Sequence, residues 1–328
     1  MKHLVTLFSI LAIAASAQPV AKPSPEKAPA AKKYVAPRTP DGQPDFQGVW
    51  SNATVTPLER PADLAGKEFF TPDEAAKFER STVSANNADR RESSAAADVA
   101  RAYNDFWYNR GDRVVRTLRT SLIVDPRDGR LPALTPEAQK RQDDLRAYNR
   151  DHPADGPENR GNSERCLAWA TAGPPMMPSA YNNNYQVIQS RGYFAIVNEM
   201  IHDTRVIPLD GRQHLESGMR QWFGDSRGHW EGDTLVIDTV NFTDKTRFRG
   251  ASQNMHLTER FTRTGPDTLL YQFTVDDPSS FTSAWTGEIP SWRSQDMIYE
   301  YACHEGNYGM EGILAGARND DKAEASKK

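Results

Sequence analysis

The chain has 328 residues, a formal charge of −4 and two cysteines. Because it has no basic stripe, nucleic acid is not an expected partner. The length allows one large or two small domains, and the absence of a Cys-x-x-Cys pair argues against a structural zinc site of that type.

The first 17 residues have the layout of a secretory signal peptide. A basic start at Lys2 and His3 precedes an apolar run, and small residues at Ala15 and Ala17 favour cleavage after Ala17. A short buried helix is the alternative. The run is shorter than the roughly 20 residues that a membrane span needs. We therefore expect a periplasmic or secreted protein that does not span the membrane and whose charge becomes −5 when Lys2 is removed.

Composition divides the remainder of the chain. Residues 18–38 are rich in Pro, Ala and Lys and predict a mobile tether. About 280 residues then remain for folded structure. We divide them into an N-terminal arm at 39–160, an antiparallel β core at 161–317 and a flexible tail at 318–328.

The arm contains two helix starts of the same kind. Thr71 and Thr135 each precede a proline, and Glu74 lies three residues after Thr71, as in a capping box. Both predicted helices are short and polar, so they should lie at the surface. Residues 120–124 predict a strand, and 125–129 predict the turn that follows it.

Beyond residue 183, segments rich in β-branched and aromatic residues alternate with turn residues. The predicted strands are 185–190, 193–201, 204–211, 233–242, 255–263, 268–275, 284–289 and 297–305. No helical segment separates them. This spacing predicts a mainly β fold, an antiparallel meander that forms a calycin-like barrel or a sandwich.

One predicted hairpin indicates a chemically mixed barrel interior. With 264–267 as its loop, His256 and Arg260 share one face with Tyr271 and Phe273. A ligand-holding interior combines aromatic and polar groups in this way. A bulge in the hairpin would exchange the two faces.

Side chains that transfer protons occur on two of the predicted strands. We predict His256, His304, Glu305 and Tyr271 as catalytic residues, because His, Glu and Tyr are common general acids and bases. His256 and His304 are the candidates for base and acid. The alternative for 304–305 is an ordinary strand end and turn.

A second set of residues is predicted to bind substrate. Glu199 and Arg205 lie near one hairpin with His202, Arg212 and His214, where an Arg–Glu pair would grip a polar ligand or close a barrel end. The complete substrate-binding set is Arg260, Glu199, Arg205, His229, Trp230 and Tyr301.

The sequence predicts no metal site and no organic cofactor. His256 and Glu259 lie three residues apart on a predicted strand, so they point to opposite faces, and the helical H-E-x-x-H motif is absent. The sequence also has no Gly-x-Ser-x-Gly motif and no glycine-rich phosphate loop.

The two cysteines have two possible states. In an oxidising compartment, Cys166 and Cys303 would form a disulfide, which adds roughly 4 kcal/mol in the chain-entropy model. The alternative is a pair of free, buried thiols.

Two resemblances follow from short blocks. PDFQGVW at 44–50 resembles the first strand of lipocalin-type barrels, in which Gly48 would allow a close backbone approach and Trp50 would close the base. The blocks TPDGQPDFQGVW, RTSLIVDPRDGR, WEGDTLVIDT, HLTERF and EYACHEGNYG resemble those of a large family of exported bacterial proteins. That family has no assigned biochemical activity, so the resemblance implies a secreted β-rich protein and transfers no catalytic residue.

Three functions are consistent with the sequence. The first is an exported acid–base enzyme of lyase, hydratase, isomerase or hydrolase type, acting on a small organic or carbohydrate substrate in a barrel pocket. The second is a periplasmic carrier of a small apolar or aromatic ligand, and the third is an envelope scaffold. A deep cavity where His256, His304, Glu305 or Arg260 converge would favour the enzyme, whereas an apolar cavity would favour the carrier.

Overall fold

Ten short strands, most of them alternating between buried and exposed residues, form one antiparallel sheet. The computed structural model describes residues 34–91, 94–100, 104–246 and 248–327, so the predicted signal peptide lies outside the described residues. The strands are β1 (Gly48–Ser51), β2 (Ile123–Asp125), β3 (Asn184–Ser190), β4 (Tyr193–Asn198), β5 (Thr204–Pro208), β6 (Asp225–Glu231), β7 (Thr234–Val240), β8 (His256–Gly265), β9 (Thr268–Asp276) and β10 (Trp285–Arg293).

The sheet curls into a nearly closed barrel of nine strands. Its strand order is β5-β4-β3-β1-β10-β9-β8-β7-β6, and β2 also pairs with β10. The two end strands, β5 and β6, approach each other through side chains. A Cβ atom at Gly228 on β6 would lie 3.1 Å from Ile207 on β5 and closer still to Leu209, so the two strands approach closely at this position. The predicted mainly β antiparallel barrel is confirmed, and we call the gap between β5 and β6 the seam.

Part of the predicted arm belongs to the barrel itself. Strand β1 pairs with both β3 and β10, and β2 pairs with β10. The first described residues also differ from the mobile tether predicted up to residue 38. Ala36 is buried, and Arg38 forms a 2.6 Å ion pair with Asp233. The structure therefore shows no separation between an arm and a core, and Tyr34–Lys328 forms one compact unit.

Both predicted helix starts in the arm are confirmed. The helices of the structure are α1 (Pro72–Asn86), α2 (Ala95–Ala100), α3 (Pro136–Asp151) and α4 (Tyr308–Ala325). The Thr71 hydroxyl accepts a hydrogen bond from the Glu74 amide at 3.3 Å, and the Glu74 carboxylate accepts one from the Thr71 amide at 2.8 Å. Thr135 caps α3 in the same way, through the Ala138 amide. No helix in the described part of the chain is long and apolar enough to cross a membrane.

The predicted last strand is wrong, and helix α4 includes most of the predicted tail. Residues 297–305 are not in a strand, and helix α4 continues through Ala325. The strand that precedes this segment, β10, has no free edge for it to pair with. One edge of β10 is paired with β9, and the other is shared by β1 and β2.

A disulfide holds this segment to the rest of the protein. Cys166 and Cys303 are joined across 137 residues, with a Cα–Cα distance of 5.7 Å. The predicted pairing is confirmed, and it indicates a non-reducing, extracytoplasmic environment.

The predicted register of the β8–β9 hairpin is wrong by one residue. Gly265 pairs with Thr268, and a bulge between Arg263 and Gly265 makes Phe261, rather than Arg260, the partner of Tyr271. Because side chains alternate along a strand, this shift exchanges the two faces of β8. His256 and Arg260 therefore point outward, whereas Tyr271 points into the barrel.

Large apolar side chains fill the barrel interior. The fully buried aromatic residues of the protein are Phe46, Trp50, Tyr185, Phe194, Phe242, Phe261, Tyr271, Phe273 and Trp285. Trp50 donates its indole N–H to the Phe46 carbonyl at 2.8 Å. Gly48, at a φ of 123°, lies against the Arg293 side chain. The interior is therefore occupied mainly by large apolar side chains and leaves little space for a ligand.

Candidate functional site

The structure separates the four predicted catalytic residues. Tyr271 lies in the barrel interior, and His256 lies on the outer face of β8. His304 and Glu305 are exposed in the irregular segment before α4. No pair among these four is joined by a hydrogen bond or ion pair in the described part of the chain. The predicted convergence inside a barrel pocket is therefore wrong for this set, because the bulge in β8 turns His256 outward.

Two of the predicted substrate-binding residues meet on the outer face. Arg260 and His229 both contact Glu231, at 2.6 Å and 3.3 Å. Trp230, the neighbour of His229, points inward instead, and its ring lies 5.3 Å from that of Phe46.

The other predicted substrate-binding residues lie elsewhere. Glu199 is buried and accepts a hydrogen bond from the Asn184 side chain at 3.2 Å. The half-buried Tyr301 lies beside Tyr181, and its carbonyl oxygen is 3.2 Å from His202 Nδ1. Arg205 is buried, and its carboxylate partner is not Glu199.

Arg205 belongs to a polar network that crosses the oily interior. Its guanidinium donates to both carboxylate oxygens of Glu259, at 3.0 Å and 2.5 Å. The Tyr271 hydroxyl donates to Glu259 at 2.8 Å and accepts from the Met176 amide at 3.1 Å. Glu259 raises the pKa of Arg205 despite its burial, and burial together with the Glu259 charge raises the pKa of Tyr271. The network therefore holds a buried ion pair and a neutral phenol.

The arginine end of this network opens at the seam. Arg205 also donates to Ser226 on β6, at 3.2 Å, so its side chain reaches from β5 to β6. A cleft of about 650 Å³ lies here, and we call it the seam cleft. It is lined by residues 203–206, Pro208, 220–227, Leu167 and Arg212. Its size falls within the range of about 300–1,000 Å³ that is usual for small-molecule sites.

Positive charge predominates in the seam cleft. Four arginines line it, Arg205, Arg212, Arg220 and Arg227, against two carboxyl groups. Arg212 contacts Asp210, and Arg227 contacts Asp225. Arg220 donates only to two backbone carbonyls, at 3.0 Å and 2.7 Å, and has no carboxylate partner among the described residues.

Asp203 is one of the two carboxyl groups that line the seam cleft. It is half-buried, and no side-chain donor of the described chain lies within hydrogen-bonding distance of its carboxyl group. Burial raises the pKa of Asp203, and the neighbouring His202 only partly opposes this effect. A carboxyl group with a raised pKa and no fixed partner is suited to proton transfer.

Asp225, the second carboxyl group, begins a chain of alternating carboxylates and imidazoles. Its Oδ2 lies 3.0 Å from His214 Nδ1, and His214 Nε2 lies 3.0 Å from Asp238 Oδ2. The other Asp238 oxygen contacts His256 Nε2. We call Asp225, His214, Asp238 and His256 the carboxylate–imidazole chain. It connects the cleft wall to solvent, because the His256 side chain is 46% exposed.

The electrostatics of this chain favour its charged forms. The hydrogen bond between His256 and Asp238 raises the pKa of the imidazole and lowers that of the carboxyl group. Burial opposes ionisation of Asp225, but hydrogen bonds from the Leu215 amide, His214 and Arg227 hold its pKa below the ordinary value. Asp225 is therefore an orienting carboxylate, whereas Asp203 is the better proton acceptor in the cleft.

A larger cleft lies on another side of the protein but has weaker chemical features. It measures about 1080 Å³ and lies between α3 and residues 249–254. Arg141 in its wall is bonded to Ser280 at 2.8 Å and to the Gly250 carbonyl. The described residues contain no group of three or more His, Cys, Asp or Glu side chains arranged to hold a metal ion, in either cleft or elsewhere.

Sequence reasoning named part of the seam cleft and missed the rest. It singled out Arg205, Arg212 and His214 but overlooked Asp203, which lies between two of the residues it considered, His202 and Arg205. Asp225 and Asp238 were missed because strand β6 was not predicted. With β6 in place, the antiparallel pairing of residues 227 and 238 would have brought this cluster together.

Comparison of the chain with protein-family models, with curated proteins and with solved structures found no match. The functional argument therefore rests on the geometry of the seam cleft and its residues.

Proposed function

We propose that this protein is an extracytoplasmic enzyme that transfers a proton to or from a small organic substrate bound in the seam cleft. The observation that carries the proposal is the position of Asp203, a carboxyl group with no side-chain partner among the described residues, in a cleft lined by four arginines. A general base needs a carboxyl group that substrate can reach and that no structural ion pair occupies. Asp203 meets both conditions.

The arginines have a separate role in this proposal. Negative charge that develops on a substrate oxygen during proton removal is stabilised by fixed positive groups nearby. Arg205 is held in place by Glu259 and Ser226, so it is preorganised for this role. The reaction classes that fit are those of a lyase, hydratase or isomerase, which need proton transfer without a covalent nucleophile.

The carboxylate–imidazole chain supplies a route for the proton. Asp225 lines the cleft, and three further groups connect it to the exposed His256. Histidine side chains are common carriers of protons in acid–base catalysis. In this proposal His256 keeps a part in acid–base chemistry, as the solvent end of the chain rather than as the base that touches substrate.

The proposal moves the site from the barrel interior to the seam. Fully buried aromatic side chains occupy the interior, which does not support a carrier that holds its ligand there. The layout of residues 1–17 and the resemblance of the sequence blocks to exported bacterial proteins support export to the periplasm or beyond, with cleavage after Ala17.

Asp203→Asn tests the proposal, with Asp267→Asn as the matched control. Asp267 lies in the β8–β9 turn, has a 68% exposed side chain and does not line the seam cleft. The purified protein is incubated with a bacterial metabolite extract, and the conversion of compounds is followed by mass spectrometry. We expect Asp203→Asn to slow any conversion by about 10²–10⁴-fold, the usual contribution of a general base. The Asp267→Asn variant should act like the wild type, and equal conversion by Asp203→Asn would contradict the proposal.

A further inference from the structure

One arginine of the seam cleft, Arg220, has no carboxylate partner among the described residues. Arg212 and Arg227 each have an aspartate partner, and Arg205 has Glu259 behind it. Arg220 is exposed and bonded only to the carbonyl oxygens of Phe242 and Gln253 among the described residues. Those two hydrogen bonds fix the guanidinium without neutralising it. A fixed, uncompensated guanidinium at a cleft is a binding group for an anion.

A second observation points to a missing acceptor at the same place. The Arg205 side chain is 5% exposed, and its Nε atom is buried without a hydrogen-bond partner in the described structure. Buried N–H groups are nearly always paired in native proteins. Arg205 lines the seam cleft, so this unsatisfied donor lies at the wall of the cleft, although the atom itself is not exposed to solvent.

Part of the remaining wall of the cleft is apolar, and Thr204, Gln221 and Ser226 also line it. Leu167, Val206, Trp222 and Phe223 line it together with Pro208. Val206 is 58% exposed although it lies in a strand. In a small-molecule site, polar groups orient the ligand and apolar surface holds its body.

We infer that the ligand of the seam cleft is a small carboxylate with an aromatic or similarly flat apolar body, bound by Arg220 through its carboxylate and by Trp222 and Phe223 through its body. This inference rests on the proposed function for the location of the site, and it adds the substrate class. Guanidinium groups match the planar carboxylate, and aromatic rings offer large contact area to a flat ligand.

Calorimetric titration of the full chain tests this inference, with phenylacetate as the probe and phenylacetamide as its neutral analogue. We expect phenylacetate to bind at least about tenfold more tightly than phenylacetamide, because the amide has no charge for the arginines. Acetate, which lacks the ring, and inorganic phosphate should both bind more weakly than phenylacetate. Binding should weaken as salt is added.

Two variants locate the binding site. Arg220→Gln should weaken phenylacetate binding by about tenfold, since it removes the uncompensated charge. Arg150→Gln is the matched control, because Arg150 lies on α3 with a 74% exposed side chain and does not line the cleft. Unchanged binding by Arg220→Gln would overturn the inference, as would equal affinity for phenylacetamide or no binding to the wild type at millimolar concentration. Phosphate or acetate that bound as tightly as phenylacetate would overturn the aromatic part.

Asp203→Asn separates this inference from the proposed function. The substitution removes a negative charge from the cleft, so phenylacetate should bind to the variant at least as tightly as to the wild type. If Asp203→Asn binds phenylacetate but retains turnover, the proposed function fails and the substrate class stands. If it loses turnover while the wild type shows no preference for carboxylates, the substrate class fails and the proposed function stands.

Discussion

Arg205 and Glu259, which are 54 residues apart in sequence, form a two-point ion pair across the barrel interior. Their side chains are 5% and 0% exposed. Glu259 also accepts the Tyr271 hydroxyl, so the pair is hydrogen-bonded on both sides. Such a pair is a poor source of net stability, but it is costly to break.

Removal of one charge from this pair should therefore destabilise the protein strongly. We expect Glu259→Gln to lower the free energy of unfolding by about 3–5 kcal/mol, because it leaves Arg205 buried and uncompensated. The double replacement Arg205→Met with Glu259→Leu should restore most of that loss. Urea unfolding of the single and double variants measures both changes in the free energy of unfolding. A Glu259→Gln variant as stable as the wild type would show that the pair is not buried as described.

The Tyr271 hydroxyl should contribute less to the free energy of unfolding than the Arg205–Glu259 ion pair does. Tyr271→Phe removes the donor to Glu259 and the acceptor of the Met176 amide without changing the ring packing. We expect a loss of about 1–3 kcal/mol in urea unfolding. Tyr299→Phe is the control, because that side chain is 63% exposed, and it should leave the unfolding midpoint unchanged. If Tyr271→Phe were as stable as Tyr299→Phe, the hydrogen bonds assigned to the Tyr271 hydroxyl would be contradicted.

The β8–β9 hairpin shows which structural features the sequence predicts correctly and which it does not. The strands themselves were predicted correctly, since their apolar and β-branched residues specify them locally. Their register depends on one bulge between Arg263 and Gly265, which shortens the loop and shifts every pair. A bulge leaves no clear signal in composition. The extra residue of this bulge determines whether His256 points into the barrel or out of it.

Two other errors have causes that only the tertiary structure reveals. Strand β6 was missed because its inward positions are Ser226, Gly228 and Trp230, which do not form an apolar run. Gly228 lies close to the side chains of Ile207 and Leu209 across the seam. Residues 297–305 have the pattern of a strand, but neither edge of β10 is free to pair with them. The seam cleft could not be predicted before β6 and its partner across the seam were known.

The disulfide gives a prediction for stability. Replacement of both Cys166 and Cys303 by Ser should lower the free energy of unfolding by about 4–5 kcal/mol, from the loop of 137 residues that the bridge closes. Urea unfolding of the oxidised protein and of the double variant gives the difference. A maleimide reagent should label neither cysteine in the native, unreduced protein. Labelling of both would contradict the bridge.

The His256–Asp238 contact should make stability depend on pH in a defined window. Asp238 raises the folded-state pKa of His256, so its contribution is present below the unfolded value of 6.5 and is lost as pH rises through the raised value. The lowered pKa of Asp238 means that its contribution is present above 3.8 and is lost as pH falls through the lowered value. His256→Gln should therefore cost more stability at about pH 5.5 than at about pH 9. Equal cost at both pH values would show that the contact does not persist in solution.

The ionised Asp203 carboxylate should destabilise the folded state, in contrast to the ionised groups of the His256–Asp238 contact. Its folded-state pKa is raised, so the ionised carboxylate disfavours the folded state once pH exceeds the unfolded value of 3.8. Asp203→Asn removes this penalty. We expect the variant to equal the wild type at about pH 3 and to become more stable than it as pH rises towards about 7. Unfolding of the two proteins in urea across this range measures the effect, and a variant less stable than the wild type at neutral pH would assign Asp203 a structural role.

The most direct test of the account is to map where a small carboxylate binds. Backbone amide chemical shifts of the full chain are recorded during titration with phenylacetate. Binding in the seam cleft predicts that the largest changes occur at residues 203–206 and 220–227. Changes centred instead on the interior strands, at 257–261 and 271–275, would place the ligand inside the barrel and contradict a site at the seam.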